Sequence, residues 1–463
     1  MDVALLPSTT RTLDHLLARE QSEARLPSVV AGLVRGGGLV WSGGRGTTGL
    51  DGEPGAGPDP LNTQYRVGSI SKTFVAAAVL RAVEDGLVGL EDPVRAHLPE
   101  LVDGVGRVTV GQLLGQAGGV QAETDGPWWE RTEGGDWDSL RPILGESAVR
   151  HRPGTRFHYS NVGFGVLGEL VGRVRDSTWR EVVAAQFLVP LGMTRTTPRP
   201  QAPAARGLAV HPWADVVLPE PEHDAGAMAP AGQLWSTVGD LARWAGVVAG
   251  TSGVLRRSTV EAMWEPQSVD DARGSAWSVG YGLGLQVWNA GGRRHAGHSG
   301  SMPGFVAMLR VDVETGDGVV VMTNSTSGFG DLPARLLTTL AEREPLDPEP
   351  WAPREVPADV LELVGPWYWG PSPLVVRAGR DGGFDLRGLT GRGRASRFVP
   401  AGEPGLWRGL DGYYAGELLR PVRGADGGVS HLDLASFRLT RTPYDPDADV
   451  PGGVDAGGWT GGA

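Results

Sequence analysis

Between residues 11 and 25 (RTLDHLLAREQSEAR) the apolar positions Leu13, Leu16, Leu17 and Ala24 recur at near-helical spacing among charged and polar ones. That spacing predicts an amphipathic helix. The pattern then changes period. Residues 29–44 (VVAGLVRGGGLVWSGG) are two apolar runs either side of the glycines at 36–38, which predicts a β-hairpin, and residues 49–62 form a Pro/Gly-rich loop. From Ser69 to Gly86 the chain is apolar nearly all round and ends on Asp85-Gly86, the pattern of a buried helix. Residues 90–250 read mostly as helical segments cut by Pro and Gly. Strand-like text returns at 279–288, 304–313 and 318–323, and a helix is predicted at 331–343. Strands and helices at both ends thus enclose a helical middle. The order predicts an α/β (α+β) fold whose single sheet is assembled from the two ends of the chain, with a helical insertion.

A Pro-rich stretch at 345–358 (PLDPEPWAPREVPA) marks the clearest boundary, so that 1–344 forms one domain. Beyond it, 359–443 consists of short alternating segments separated by turn signals, which predicts a small antiparallel β-domain, sandwich or barrel. Residues 444–463 hold Asp, Pro and Gly without periodicity and read as a disordered tail.

Composition narrows the function classes. The net charge of −12 argues against a nucleic-acid or anionic-membrane surface, which needs a basic patch. With no cysteine there is no disulfide framework, no thiolate nucleophile and no Cys-ligated metal. Met1-Asp2-Val3 opens without a basic n-region or an apolar stretch behind it, and the longest apolar run, Phe74 to Leu80, is far short of a membrane span. The expectation is a soluble cytoplasmic protein.

One further count changes the picture: of the 42 basic residues a single one, Lys72, is lysine. Arginine cannot lose its proton at workable pH, whereas a buried lysine can, so this is where a neutral amine is available. Ser69 precedes it by three, and on a helix an i, i+3 pair shares one face. Ser69 would also stand at the helix start, where free N–H groups favour a developing anion. In FHYSNVGFG, Tyr159 and Asn161 lie two apart before a helix, so an extended turn would aim both at one pocket; an Asn that merely caps the helix is the alternative. GHSGSMPGF offers His298, Ser299 and Gly300 at a strand edge, where a glycine admits a ligand to the backbone. His295 and His298 lack an evident third ligand, and no metal or cofactor is expected. The G-x-G-x-x-G at 44–49 runs into a Pro/Gly loop instead of a helix, which excludes a dinucleotide fingerprint.

Taken in order, Ser69-x-x-Lys72, Tyr159-x-Asn161 and His298-Ser299-Gly300 resemble the three motifs of the serine β-lactamase and penicillin-binding-protein superfamily. The likeness is greatest to its class C-like branch of esterases, DD-peptidases, D-aminopeptidases and related thioesterases, and it spans about residues 12–343. The resemblance implies a β-lactamase-like transpeptidase fold with an antiparallel sheet, and a C-terminal β-domain similar to the lipocalin-like appendage of some members. Two departures stand out. Gln116 in LLGQAGGV replaces the usual His, and the third motif lacks Lys, which leaves recognition of a substrate carboxylate open.

By that resemblance Ser69 attacks a carbonyl, Lys72 or Tyr159 takes its proton, and the backbone N–H groups of Ser69 and Ser301 hold the oxyanion. Asn161 is expected on the acyl amide of the substrate, and His298 on the Tyr159 oxygen or a substrate carboxylate. Trp128 and Trp129 are placed in a loop bordering the pocket, with packing of that loop as the alternative; Arg438 and Arg441 read first as an exposed strand face of the β-domain, with a carboxylate contact as the alternative. The implied function is acyl transfer from a peptide-like amide, ester or thioester, with a D-residue in the substrate. Carrier-bound thioester is a further candidate partner. Macrocyclisation of a nonribosomal peptide, and a catalytically silent binding protein on the same fold, are the alternatives.

Overall fold

The apolar runs at 29–34 and 318–323 become two neighbouring interior strands of one sheet, although almost the whole domain separates them in sequence. In the computed structural model, which describes residues 4–50, 57–445 and 450, chain contacts divide the molecule into Met1–Asp347 and Pro348–Ala463. Most of the tail for which disorder is expected lies outside the described residues.

In the first unit, α1 (Pro7–Glu23) leads into the hairpin of β1 (Ser28–Arg35) and β2 (Gly38–Gly46). Next come α2 (Ser71–Glu84), α3 (Asn161–Val174) and α4 (Val238–Val248). The chain then returns to the sheet with β3 (Ser268–Val269), β4 (Val279–Tyr281), β5 (Gln286–Ala290), β6 (Arg293–Met302), β7 (Phe305–Asp312) and β8 (Gly318–Thr323), followed by α5 (Leu332–Arg343). The sheet order is β2-β1-β8-β7-β6-β5-β4-β3, with β1 antiparallel to β8 from Val29↔Thr323 to Val34↔Gly318.

The alternation of side chains along a strand, with both faces of the sheet covered here, explains why β1 and β8 are both apolar along these runs. Val29, Ala31, Leu33, Val319 and Val321 face Leu13 and Leu17 of α1 and Leu332, Leu336 and Leu340 of α5. Val30, Val34, Val320 and Met322 face the other way, into a core that also holds Phe74 of α2 and Trp244 of α4. Those two rings stack at 3.8 Å. Eleven of the fourteen residues of α2 are buried, so the helix predicted to be apolar all round passes through the core.

Two expectations differ from the structure. The middle of the chain is less helical than its segments suggest. Between α2 and α4 much of it is irregular or in short 3₁₀ turns, with one small ribbon of its own, Leu208–Val210 against Val217–Pro219, and a second that pairs Trp235–Ser236 with Tyr65–Arg66 ahead of α2. Apart from α3, frequent Gly and Pro keep most helical segments there to a turn or two. The third motif, expected at the edge of a strand pair, lies inside a ten-residue strand, β6, that is paired on both sides. Its alternating His, Ser and Gly positions lack the apolar periodicity that would reveal a strand.

The second unit is a closed eight-stranded barrel running from β9 (Gly365–Trp369) to β16 (Phe437–Thr440) and sealed by the pair Tyr368↔Thr440. Inward-facing Trp367, Phe384, Phe398, Trp407, Leu432 and Leu439 fill it, and closure leaves no exposed strand edge. The two arginines considered as carboxylate ligands serve this unit: Arg441 lies over the Trp367 ring at 3.9 Å and donates to backbone carbonyls, and Arg438 bonds Asp433 at 3.2 Å. Among the described residues no helix is long and apolar enough to cross a membrane.

Candidate active site

Ser69 sits in a single 3₁₀ turn, Gly68–Ile70, that runs directly into α2. Gly68 holds φ at +54°, and a Cβ there would lie 2.5 Å from the Ser301 backbone nitrogen. Only glycine permits both the conformation and the approach of β6. Three residues on, Lys72 is completely buried, and its Nζ meets three oxygens: Ser69 Oγ at 2.8 Å, Asn161 Oδ1 at 2.7 Å and the Ala231 carbonyl at 2.6 Å. The Ala231 carbonyl reaches this point because α3 lies close to the 226–231 turn. At Gly168 a Cβ would come within 2.2 Å of Pro230 Cγ.

The capping question at α3 is resolved in favour of its neighbour. Ser160 is the N-cap, its Oγ accepting from Gly163 N at 2.9 Å, which leaves the Asn161 amide free to face Lys72. Asn161 Nδ2 donates to Glu123 Oε1 at 2.8 Å, and Trp129 Nε1 donates to the other Glu123 oxygen at 2.6 Å. Gln116, in a left-handed backbone conformation, supports the same turn: its Oε1 accepts from Ser160 N at 2.7 Å and its carbonyl from His158 N at 2.8 Å. Gln in place of the usual His thus holds the Tyr159–Asn161 segment by its backbone.

On β6, a Cβ at Gly300 would fall 2.0 Å from the Val67 carbonyl oxygen and 2.9 Å from Ser69 N, so the strand and the Ser69 turn touch backbone to backbone. Ser299 gives its N–H and Oγ–H to Gln286 Oε1 at 2.8 and 3.0 Å, and Ser301 is exposed at the rim. His298 departs from expectation. Its Nε2 pairs with Tyr281 Oη at 2.9 Å and its Nδ1 with the Ser299 carbonyl, so neither nitrogen is turned to Tyr159, whose ring centre is 6.2 Å away. Burial, with a smaller push from Lys72, lowers the His298 pKa to about 3, and a neutral imidazole offers no charge to a substrate carboxylate.

The electrostatics separate the two candidate bases. Burial lowers Lys72 to about 7, with the carboxylates of Glu123 and Glu130 pulling the other way. Tyr159 moves in the opposite direction: burial raises it above the usual phenol range, and its hydrogen bond with Ser69 only partly offsets this. Glu130 is itself raised by burial.

The tryptophans placed at the pocket are used otherwise. Trp129 is buried in the core and anchors Glu123, and Trp128 is 58% exposed, giving its N–H to Glu130 with Arg131 over its ring. Sequence reasoning passed over Glu123, Tyr281, Gln286 and the Ala231 carbonyl. Among the described residues no group of three or more His, Asp or Glu is arranged to hold a metal.

Comparison with known proteins bears on the family and the fold. The family model described as Beta-lactamase matches residues 11–342, and one described as a domain of unknown function (DUF7586) matches 356–441. Protein flp of Staphylococcus aureus is 22% identical over 335 residues, covering 70% of this chain and 65% of flp. The chain therefore spans slightly under two thirds of that relative. Among solved structures, the octameric penicillin-binding protein homologue from Pyrococcus abyssi superposes with a TM-score of 0.63 at 22% identity, over 93% of this chain and 99% of that one. The D-amino acid amidase from Ochrobactrum anthropi, complexed with D-phenylalanine, gives 0.59 at 20% identity, over 72% and 99%. With a family model covering most of its length and the fold shared by these structures, the chain belongs to the β-lactamase family.

Proposed function

We propose that the protein is a serine acyl-enzyme hydrolase or acyltransferase, with Ser69 as nucleophile and Lys72 as its base. It would act on a peptide-like amide, ester or thioester carrying a D-residue. The observation that carries this reading is the contact of the buried Lys72 Nζ with Ser69 Oγ at 2.8 Å, flanked by two fixed acceptors. A neutral amine has two N–H bonds and one lone pair. With the hydrogens given to Asn161 Oδ1 and the Ala231 carbonyl, the lone pair faces the serine hydroxyl. A pKa near 7 makes that neutral form available at neutral pH, whereas the raised Tyr159 stays a phenol and serves as a donor.

In the acylation step Ser69 Oγ bonds the substrate carbonyl carbon and its proton passes to Lys72 Nζ. The carbonyl oxygen takes the electron pair and meets the N–H groups of Ser69 and Ser301, which the close approach of Gly68 and Gly300 supports. Collapse expels the leaving amine, alcohol or thiol with a proton returned from Lys72. Water or an amine then attacks the acyl-enzyme by the reverse sequence. The D-residue is supported by the likeness to a D-amino acid amidase.

Intact-protein mass spectrometry with a fluorophosphonate and with a penicillin tests the reading. One covalent adduct, lost in Ser69→Ala, is expected; no adduct with either probe identifies a silent binding protein. Offering a linear peptidyl thioester with a C-terminal D-residue, and comparing free acid with cyclic product, measures the split between hydrolysis and macrocyclisation.

A further inference from the structure

Among the described residues outside the Ser69 corner, Arg66 is a buried charge with a single hydrogen-bond partner. It stands three residues before Ser69, in the ribbon that pairs Arg66 with Trp235, and is 1% exposed. Its Nη2 donates to Gln233 Oε1 at 2.9 Å, but its Nε has no partner, and among the described residues it makes no ion pair. Trp235, 2% exposed, likewise leaves its indole N–H without an acceptor. Both side chains line one cavity of about 610 Å³. A buried guanidinium ordinarily has a carboxylate beside it, because the charge is costly to desolvate alone.

The rest of the cavity indicates which anion fits. Its other charged walls are Arg206 and Glu222, both exposed, and Glu220, which is held by Arg131 at 2.6 Å. Phe305, prolines and alanines supply apolar wall beside them. The exposed Glu222, with the buried side chain of Glu220 already paired to Arg131, disfavours a doubly charged phosphate, and apolar wall suits an organic group. The size lies within the range of small-molecule pockets.

We propose that this cavity binds an organic carboxylate, its oxygens on the buried, unpartnered N–H groups of Arg66 and Trp235 and its hydrocarbon part against Phe305. The acid arises in one of two ways: as part of the acyl group of the substrate, or as a separate small acid. Only the first rests on the reading of Ser69 given above. The strand pair that carries Arg66 also places the Ser69 turn, through the bond from Val67 N to the Leu234 carbonyl at 2.9 Å.

Calorimetry with 4-phenylbutyrate, and with its neutral amide as control, tests the site on the intact chain without turnover. One-to-one binding of the acid is expected, with the amide and the Arg66→Gln variant each weaker by about tenfold or more. Glu222→Gln, at an exposed position, removes a repulsive charge and should tighten acid binding about two- to fivefold, a gain that misfolding cannot produce. Equal binding of acid and amide, no binding up to about 10 mM, or no tightening in Glu222→Gln overturns the proposal.

Turnover of 4-nitrophenyl acetate and mono-4-nitrophenyl glutarate separates the two sources. If the acid belongs to the substrate, Arg66→Gln loses about tenfold more kcat/KM on the glutarate than on the acetate. If it is a separate ligand, the two esters fall together, and phenylbutyrate still binds after Ser69 is blocked by fluorophosphonate. Failure to label Ser69 would remove the proposed catalysis and leave the calorimetric result standing.

Discussion

The interior of the barrel holds Trp367, Phe384, Phe398 and Trp407 among aliphatic neighbours, and its arginines stay outside, Arg441 over Trp367 and Arg394 at 4.1 Å from the Tyr413 ring centre. The interior around α2 is as apolar, yet it also encloses Lys72, Arg66, Asn161, His298 and Gln233. Among the described residues Lys72 has no ion pair there; its Nζ meets oxygen acceptors and lies over the Tyr159 and Phe164 rings. Folding alone does not call for such groups, since buried charge costs stability that apolar packing would supply. Among the described residues the polar side chains buried in the barrel, Ser396, His431 and Thr440, include no Lys or Arg, and the contrast marks the α2 corner as the place where stability is given up for chemistry.

The largest test of that contrast is Lys72→Arg. The substitution keeps the charge, but a guanidinium cannot become a base at neutral pH. Acylation by a fluorophosphonate should slow about a thousandfold or more, roughly 4 kcal/mol in barrier, while circular dichroism remains native. Near-normal labelling would remove Lys72 from the mechanism. The matching experiment in the barrel is Trp367→Ala. That side chain is fully buried and gives its indole N–H to the Leu363 carbonyl at 2.7 Å, so a stability loss of about 3–5 kcal/mol is expected in chemical denaturation. A loss below about 1 kcal/mol would mean that the barrel core is not close-packed.

A pH series sharpens the comparison further. Burial takes Lys72 from the ordinary lysine value of 10.5 to about 7, so the folded state releases this proton before the unfolded state does. The cost of burying the cation is fully present below about 7 and is relieved as pH rises toward 10.5. Relative to Lys72→Met, the wild type should therefore gain about 2 kcal/mol of unfolding free energy between pH 7.5 and 9, because one proton per pH unit is worth about 1.4 kcal/mol. Acylation should rise through the same pKa and level off above it. A flat difference between the two proteins would show that Lys72 keeps its ordinary pKa.

What the amino-acid pattern revealed and what it hid divide along the same physical line. Ser69 and Lys72 belong to one segment with one period, so their meeting follows from helix geometry. The all-apolar runs of β1 and β8 likewise announce strands covered on both faces. Ala231 contributes a carbonyl, which has no signature in side-chain text, and Gln286 and Tyr281 reach β6 through strand pairing set by tertiary structure. His298 misled because its motif position says nothing of which way a buried imidazole turns. Its direction is fixed by Tyr281, on a strand that contributes no residue to the motifs.

The adjacent tryptophans give the finest test, because a pattern of residue types cannot distinguish them and the structure does. Trp129 faces the core and holds Glu123, which in turn holds Asn161. Trp128 stands 58% exposed, its ring under Arg131 and its N–H on Glu130. A side chain already engaged on its own loop adds little to a substrate. Trp128→Ala should change stability by no more than about 0.5 kcal/mol, and should shift the kcat/KM ratio of phenylacetyl to acetyl 4-nitrophenyl esters by less than about twofold. A tenfold fall confined to the phenylacetyl ester would instead make Trp128 part of the acyl pocket, and would extend the functional surface from the buried polar corner onto the exposed loop.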